Sequence, residues 1–342
     1  MIFLKEENSR VQAFKRNASL ECLIHNLNDL LICSEQSALE RYSNEHGDYP
    51  IVFVMGALRS GTTLFTQWLA STGVVAYPTN LLSRFYGAPV IGALIQLLLT
   101  DPRYNFRNEI LDFNSSISFE SENGKTKGAL APNEFWYFWR RFLPFGELDW
   151  LSDEELFRVV DREKLVTELT TLTCVFGKPF ALKSMILNYN IPFLNAIFEK
   201  AIFVQIKRDP VTNVASILEA RKRQLGSENE WYSFKIPEFL MLKDLDPITQ
   251  SAGQLYFINK AVALGISKVD ESRKLVVQYE NFCKCPRLVF EQLTEKLGFN
   301  DWGYNGPDSF KLSRNADIPN QDMIRSALAS YELSDYTEYT NK

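Results

Sequence analysis

The stretch Ile51-Val52-Phe53-Val54-Met55-Gly56-Ala57-Leu58-Arg59-Ser60-Gly61-Thr62-Thr63-Leu64 decides how the chain folds. Its first five residues, opened by Pro50, form a continuous apolar run of the kind carried by strands buried on both faces. A glycine-rich turn follows. Thr63 to Thr72, with Leu64, Trp68 and Leu69, then reads as a helix. Strand, glycine loop and helix in that order aim several backbone N–H groups and the positive end of a helix at an anion. Gly56 and Gly61 have the spacing of the phosphate-binding pattern G-x-x-x-x-G-K-[ST], yet Thr62 stands at the lysine position and the cation is Arg59, inside the loop. The backbone chemistry survives that change, and a donor with a shorter anionic chain than a nucleoside triphosphate suits it.

The pattern recurs. Phe180-Ala181-Leu182 leads to Lys183, Ala201 to Ile206 leads to Lys207-Arg208-Asp209-Pro210, and Lys274 to Tyr279 precedes Glu280. Strands separated by helical stretches predict an α/β chain with a P-loop-type parallel sheet flanked by helices, read as a single domain over 1–342 with a helical insertion. Residues 1–48 are expected to form a helical N-terminal extension, with Val11, Phe14, Leu20, Leu23, Ile24, Leu27, Leu30 and Leu31 at roughly helical spacing. Residues 77–160, with a polar loop at Ser115 to Lys127 and an aromatic helix candidate from Glu134 to Phe142, are expected to be an insertion over the acceptor site. The tail after Ser330 is expected to be poorly ordered. Ligands of such sheets sit at the carboxyl ends of the strands, so Arg59, Lys183 and Arg208 are expected to converge.

A second anion pocket is legible beyond the third strand. Asp209 can cap the next helix, Pro210 suits its first turn, and Ser216 falls two turns on, presenting a hydroxyl near Arg208. The bulk composition narrows the partners. A formal net charge of −5, with 23% charged residues, argues against a nucleic-acid binder. Five cysteines without a CxxC pair, and a start, MIFLKEENSR, that is charged by its fifth residue, lead to a reduced cytoplasm as the expected compartment. The longest apolar run, Ala88 to Leu99, is about half the ~20 residues a membrane span needs. With only His25 and His46, no metal site is expected. Nothing in the sequence fixes the oligomeric state.

Two anion pockets on one sheet, RSGTT and R-D-P-x-x-x-x-x-S, are where the chain resembles the sulfotransferases that use 3′-phosphoadenosine 5′-phosphosulfate (PAPS). Ala181-Leu182-Lys183-Ser184 is similar to a lysine-bearing strand end of the bacterial and tyrosylprotein branches, and Tyr279-Glu280-Asn281-Phe282 to their YED-type segment, so the resemblance spans about Pro50 to Phe299. It implies that Arg59, Ser60, Gly61, Thr62 and Thr63 bind the 5′-phosphosulfate, that Arg208 and Ser216 bind the 3′-phosphate, and that Arg59 and Lys183 serve the sulfuryl group and leaving oxygen without a metal. The cytosolic branch carries lysine at Arg59 and a histidine base after the loop; both histidines here precede it.

The residue expected to take the acceptor's proton is Glu134, in Ala131-Pro132-Asn133-Glu134-Phe135-Trp136, where aromatic surroundings would favour the neutral carboxyl. The competing reading makes Asn133 a helix cap and Glu134 a first-turn acid stabilised by the helix dipole. Arg221, Lys222 and Arg223 read as a solvated helix end, with Arg221 alone able to approach the nucleotide. His25 reads as a packed or capping residue. The acceptor implied is a hydroxyl on a glycan, glycolipid or other small metabolite, and no nucleic-acid partner is expected. The competing functions are a P-loop kinase or NTPase, a tyrosine-peptide sulfotransferase, and an inactive scaffold.

Overall fold

A computed structural model describes residues 10–11, 17–43, 49–104, 107, 109–110, 117–121, 125–299, 302–312 and 318–340. Phe14 and His46, and parts of the polar loop at Ser115 to Lys127, lie outside the described residues. In chain order the elements are α1 (Ala18–Tyr42), β1 (Ile51–Met55), α2 (Thr62–Thr72), α3 (Pro89–Thr100), α4 (Trp136–Phe142), α5 (Asp153–Val159) and α6 (Arg162–Phe176). They continue with β2 (Phe180–Lys183), α7 (Ile191–Ile197), β3 (Ile202–Lys207), α8 (Pro210–Leu225), α9 (Phe239–Leu242) and α10 (Pro247–Ser267). The last are β4 (Lys274–Gln278), α11 (Tyr279–Lys284), α12 (Pro286–Lys296) and α13 (Gln321–Thr340).

The strands pair in parallel in the order β2-β1-β3-β4, with Val54 opposite Lys183 and Val52 opposite Ile202. All five residues of β1 are buried because it is an inner strand with helices on both faces. Ile51, Phe53 and Met55 join the core formed with α4, α6, α8 and α10, while Val52 and Val54 join the core formed with α2, α11 and α12. The apolar run of the sequence is the signature of that double burial. β4 is an edge strand, and Val276 points to solvent.

Within the expected N-terminal extension, Ala18–Tyr42 form a helix; Ile24 lies buried on its inner face and Leu20, Leu27 and Leu31 are half-buried there, but polar residues share that face and two of the leucines lie outside it. Leu23 and Leu30 are 66% and 80% exposed, whereas Asn28 and Glu35 are buried. The reason is polar docking. Asn28 accepts from Gly87 N at 2.6 Å and donates to Arg84 O at 2.8 Å. Glu35 accepts from Val90 N and Ile91 N at 2.8 and 3.0 Å, capping α3. His25 is neither packed nor a cap: it faces solvent 3.3 Å from Asp29, one turn along.

The tail after Ser330 is helical through Thr340. Its α13 is held by buried Ile324 and by Tyr331, whose hydroxyl donates to Thr249 O at 3.1 Å. The aromatic helix starts later than the sequence suggests, at Trp136, because Phe135 takes a left-handed conformation (φ 57°) just before it. Phe138, Trp139 and Phe142 go into the core.

Candidate active site

The connection after β1 runs to β2 on one side and the chain then crosses to β3 on the other, so the strand order reverses at β1. A crevice at the carboxyl ends of β1 and β3 is the ligand position such a reversal creates. The loop after β1 and the Arg208-Asp209 turn after β3 meet there. Their meeting is tight. A methyl on Gly56 (φ 148°) would lie 2.7 Å from Ile206 O, and one on Gly61 (φ 98°) 2.2 Å from the Tyr279 ring. Gly61 is the N-cap of α2. Asn188 clamps Gly56 from the opposite side, accepting from its N–H at 3.1 Å and donating to its carbonyl at 2.8 Å.

Two features of the loop fit an anionic ligand. Ser60 Oγ is buried and has no hydrogen-bond partner among the described residues. The first N–H groups of α2 have no partner within the helix. Arg59 holds a left-handed backbone (φ 60°), a conformation that costs roughly 1–3 kcal/mol in a non-glycine residue and collects at functional sites.

The turn after β3 enters α8 through the cap that the sequence predicts. Asp209 caps α8 by accepting from Thr212 N at 2.8 Å, and its own N–H donates to Glu280 Oε1 at 2.9 Å. Arg208 stacks 5.0 Å above Tyr279 and donates to Arg59 O at 2.9 Å. The loop and the turn are therefore one unit. Arg59 Nε donates to Ser216 Oγ at 3.2 Å, so the loop's cation reaches across to α8. Asn213, with its amide nitrogen toward the loop, donates to Arg59 O at 2.9 Å and Leu58 O at 3.0 Å.

Lys183 ends β2 and is buried. Its ammonium donates to Thr63 Oγ1 at 3.0 Å, in the first turn of α2, and to Glu134 Oε1. Glu134 Oε2 accepts from Trp136 Nε1. Glu134 lies two residues ahead of α4, and Asn133 Oδ1 accepts from Phe135 N at 2.8 Å, so Glu134 is not a first-turn acid on the helix dipole. Nor do the aromatics isolate it: an ion pair and an indole N–H hold the carboxylate. Thr62 Oγ1 donates to Met185 Sδ at 3.5 Å.

Arg59, Thr62, Thr63, Glu134, Lys183, Arg208 and Ser216 line one cleft of about 1800 Å³, together with Tyr232, Phe234 and Lys235. Burial raises the Tyr232 phenol above its ordinary value, against the opposing pull of Arg59. Arg221 departs from expectation. It is fully buried, away from solvent, and donates to Gln250 Oε1, to Glu228 O at 3.3 Å and to Gln254 Oε1 at 3.4 Å. Its guanidinium lies 5.7 Å over Trp231, and burial pushes it down to about 10. Gln254 in turn donates to Tyr232 O at 2.9 Å, so Arg221 braces the cleft wall from behind. Sequence reasoning also missed Asn188, Asn213, Trp136 and Tyr232. Only Trp136, two residues from the proposed base, carried a local signal. Among the described residues no His, Cys, Asp and Glu cluster could hold a metal, and no helix is long and apolar enough to cross a membrane.

The family model of the sulfotransferase family matches residues 50–303. The chain belongs to the sulfotransferase family. No curated protein matches it. Among solved structures it is similar to a sulfotransferase of Mycobacterium avium, with 15% identity, a TM-score of 0.51, and coverage of 95% of this chain and 79% of that one. A sulfotransferase of Mycobacterium tuberculosis matches with 15% identity and a TM-score of 0.51, covering 86% of this chain and 81% of that one. At such identity the likeness concerns the fold: a parallel sheet flanked by helices.

Proposed function

We propose that this sulfotransferase moves the sulfuryl group of PAPS to a hydroxyl acceptor, a glycan, glycolipid or other small metabolite, in a reducing cytoplasm. The observation that carries the reading is the meeting of the β1 loop and the β3 turn at the β1–β3 crevice, with Arg59 bonded to Ser216 and Arg208 bonded to the Arg59 carbonyl. Cations supplied from two separate turns, Arg59 after β1 and Arg208 after β3, suit a ligand with anionic groups at two ends of a ribose better than a linear triphosphate. Thr62 in place of the lysine points the same way.

Sulfuryl transfer resembles phosphoryl transfer, in which attacking and leaving oxygens are in line and catalysis is positioning and charge stabilisation. The acceptor oxygen forms its bond to sulfur as the sulfur–oxygen bond to the 5′-phosphate breaks, and that phosphate oxygen keeps the electron pair. We assign the loop amides and hydroxyls from Ser60 to Thr63 to the 5′-phosphosulfate, and Arg208 and Ser216 to the 3′-phosphate. Lys183 from the Thr63 side and Arg59 from the Ser216 side oppose the charge that gathers on the leaving oxygen. Glu134 takes the acceptor's proton. A sulfuryl group carries less charge than a γ-phosphoryl, so these cations suffice without a metal.

The cleft is larger than the roughly 300–1,000 Å³ typical of a single small-ligand site, which leaves room for an acceptor beside the nucleotide. Segment 77–160 lines that space through Asn80, Trp136, Tyr137 and Arg140, and we assign acceptor choice to it. The deciding experiment is calorimetric titration with adenosine 3′,5′-bisphosphate and with ATP. Tight bisphosphate binding and weak ATP binding are expected; the reverse would sink the donor assignment.

A further inference from the structure

Lys183 serves two masters. Its ammonium joins Thr63 in the first turn of α2, where the 5′-anion is assigned, to Glu134, the proposed base. The Lys183 side chain is 6% exposed and that of Glu134 is 30% exposed. A buried ammonium needs a compensating charge, and in this structure Glu134 supplies it. A donor seated on the loop would bring a second, stronger one to the same ammonium. Glu134 would not follow the lysine, because Trp136 holds its other oxygen through the indole N–H.

We propose that Lys183 is handed from Glu134 to the donor, so that the base is released only once the donor is in place. The inference rests on the donor reading above and adds an order of events to it. A carboxylate whose two oxygens already accept from Lys183 and Trp136 has no oxygen free to meet the acceptor's hydroxyl. Departure of Lys183 therefore arms Glu134 on the side open to the cleft, while the same ammonium takes up its station beside the leaving oxygen. In the transfer the acceptor's hydroxyl proton goes to Glu134, its oxygen bonds to sulfur, and the electron pair of the broken sulfur–oxygen bond goes to the 5′-phosphate. When the bisphosphate leaves, Lys183 returns to Glu134 and displaces the proton to water. Trp136 is then a positioning residue, fixing the carboxylate through both states.

The test needs no acceptor. A crystal structure of the wild-type protein with adenosine 3′,5′-bisphosphate is expected to have Lys183 Nζ on a 5′-phosphate oxygen and no longer on Glu134. Calorimetry provides the second measurement. Glu134→Gln removes the pair that the ligand must break, and is expected to bind the bisphosphate about tenfold more tightly, the worth of one charged hydrogen bond. Adenosine 3′-monophosphate, lacking the 5′-anion, is expected to bind both proteins equally. Lys183 still bonded to Glu134 in the complex overturns the handover, as does an unchanged bisphosphate affinity or an equal gain for the monophosphate. Failure of wild-type protein to bind the bisphosphate at all is a different result, and overturns the donor reading itself.

Discussion

At Gly61 two constraints coincide: a φ of 98°, which side chains rarely adopt, and a Tyr279 ring 2.2 Å from where a methyl would stand. Gly61→Ala is expected to cost about 2–4 kcal/mol, the sum of backbone strain and overpacking, read as a lower urea midpoint. Adding Tyr279→Ala should return the packing part and leave the strain. Arg208 uses its plane on Tyr279 and its fork on the Arg59 carbonyl. A lysine cannot do both, so Arg208→Lys is expected to weaken bisphosphate binding about tenfold in a calorimetric titration. Motif spacing made Arg59, Arg208 and Ser216 legible, since a cap, a turn and a helix are local devices. It could not reveal Asn188 or Asn213, because their roles lie in contacts with Gly56 and Arg59, 132 and 154 positions away in the chain.

The elements around the sheet hold buried charged side chains that the sequence hides, Arg221 and Glu35 among them. Arg221 on α8 braces the cleft wall through Gln250, Gln254 and Glu228 O. Arg221→Met would leave those acceptors unpaired, and is expected to lower unfolding stability by about 2 kcal/mol and open residues 226–238 to limited proteolysis. Periodicity misread it as solvated because two exposed basic residues follow it. On α1, burial pushes the Glu35 carboxyl up to about 7 from 4.5, with Glu168 adding to the rise while Arg141 and the Val90 and Ile91 amides oppose it. A carboxyl raised in the folded state contributes stability that is complete below pH 4.5 and lost as pH rises through 7. The loss amounts to about 3 kcal/mol. The urea midpoint is therefore expected to fall between pH 5 and pH 8, and Glu35→Gln to flatten that fall. The same residue, with Asn28, marks what apolar spacing left out of α1: Ile24 showed the inner face, but the carboxylate on α3 and the amide on the Arg84–Gly87 turn beside it leave no periodic trace.

Over the whole molecule, charge is segregated. The chain carries a net charge of −5, yet the cleft is lined by ten lysines and arginines against six carboxylates. Donor capture by an acidic protein then depends on a local field, and bisphosphate affinity is expected to fall steeply between 20 and 300 mM salt, about the range over which screening shortens from ~20 to below ~8 Å. A salt-independent affinity would contradict that picture. The fold was the most legible level, because four apolar runs with helical stretches between them leave a parallel sheet as the simplest way to bury them. The loop at its centre has a further implication for engineering. Its shape is imposed by Asn188, Ile206, Asn213 and Tyr279, drawn from four separate segments of the chain. The RSGTT peptide is consequently not a portable cassette: grafted onto another strand–helix junction without those four neighbours, it would keep its letters and lose its conformation.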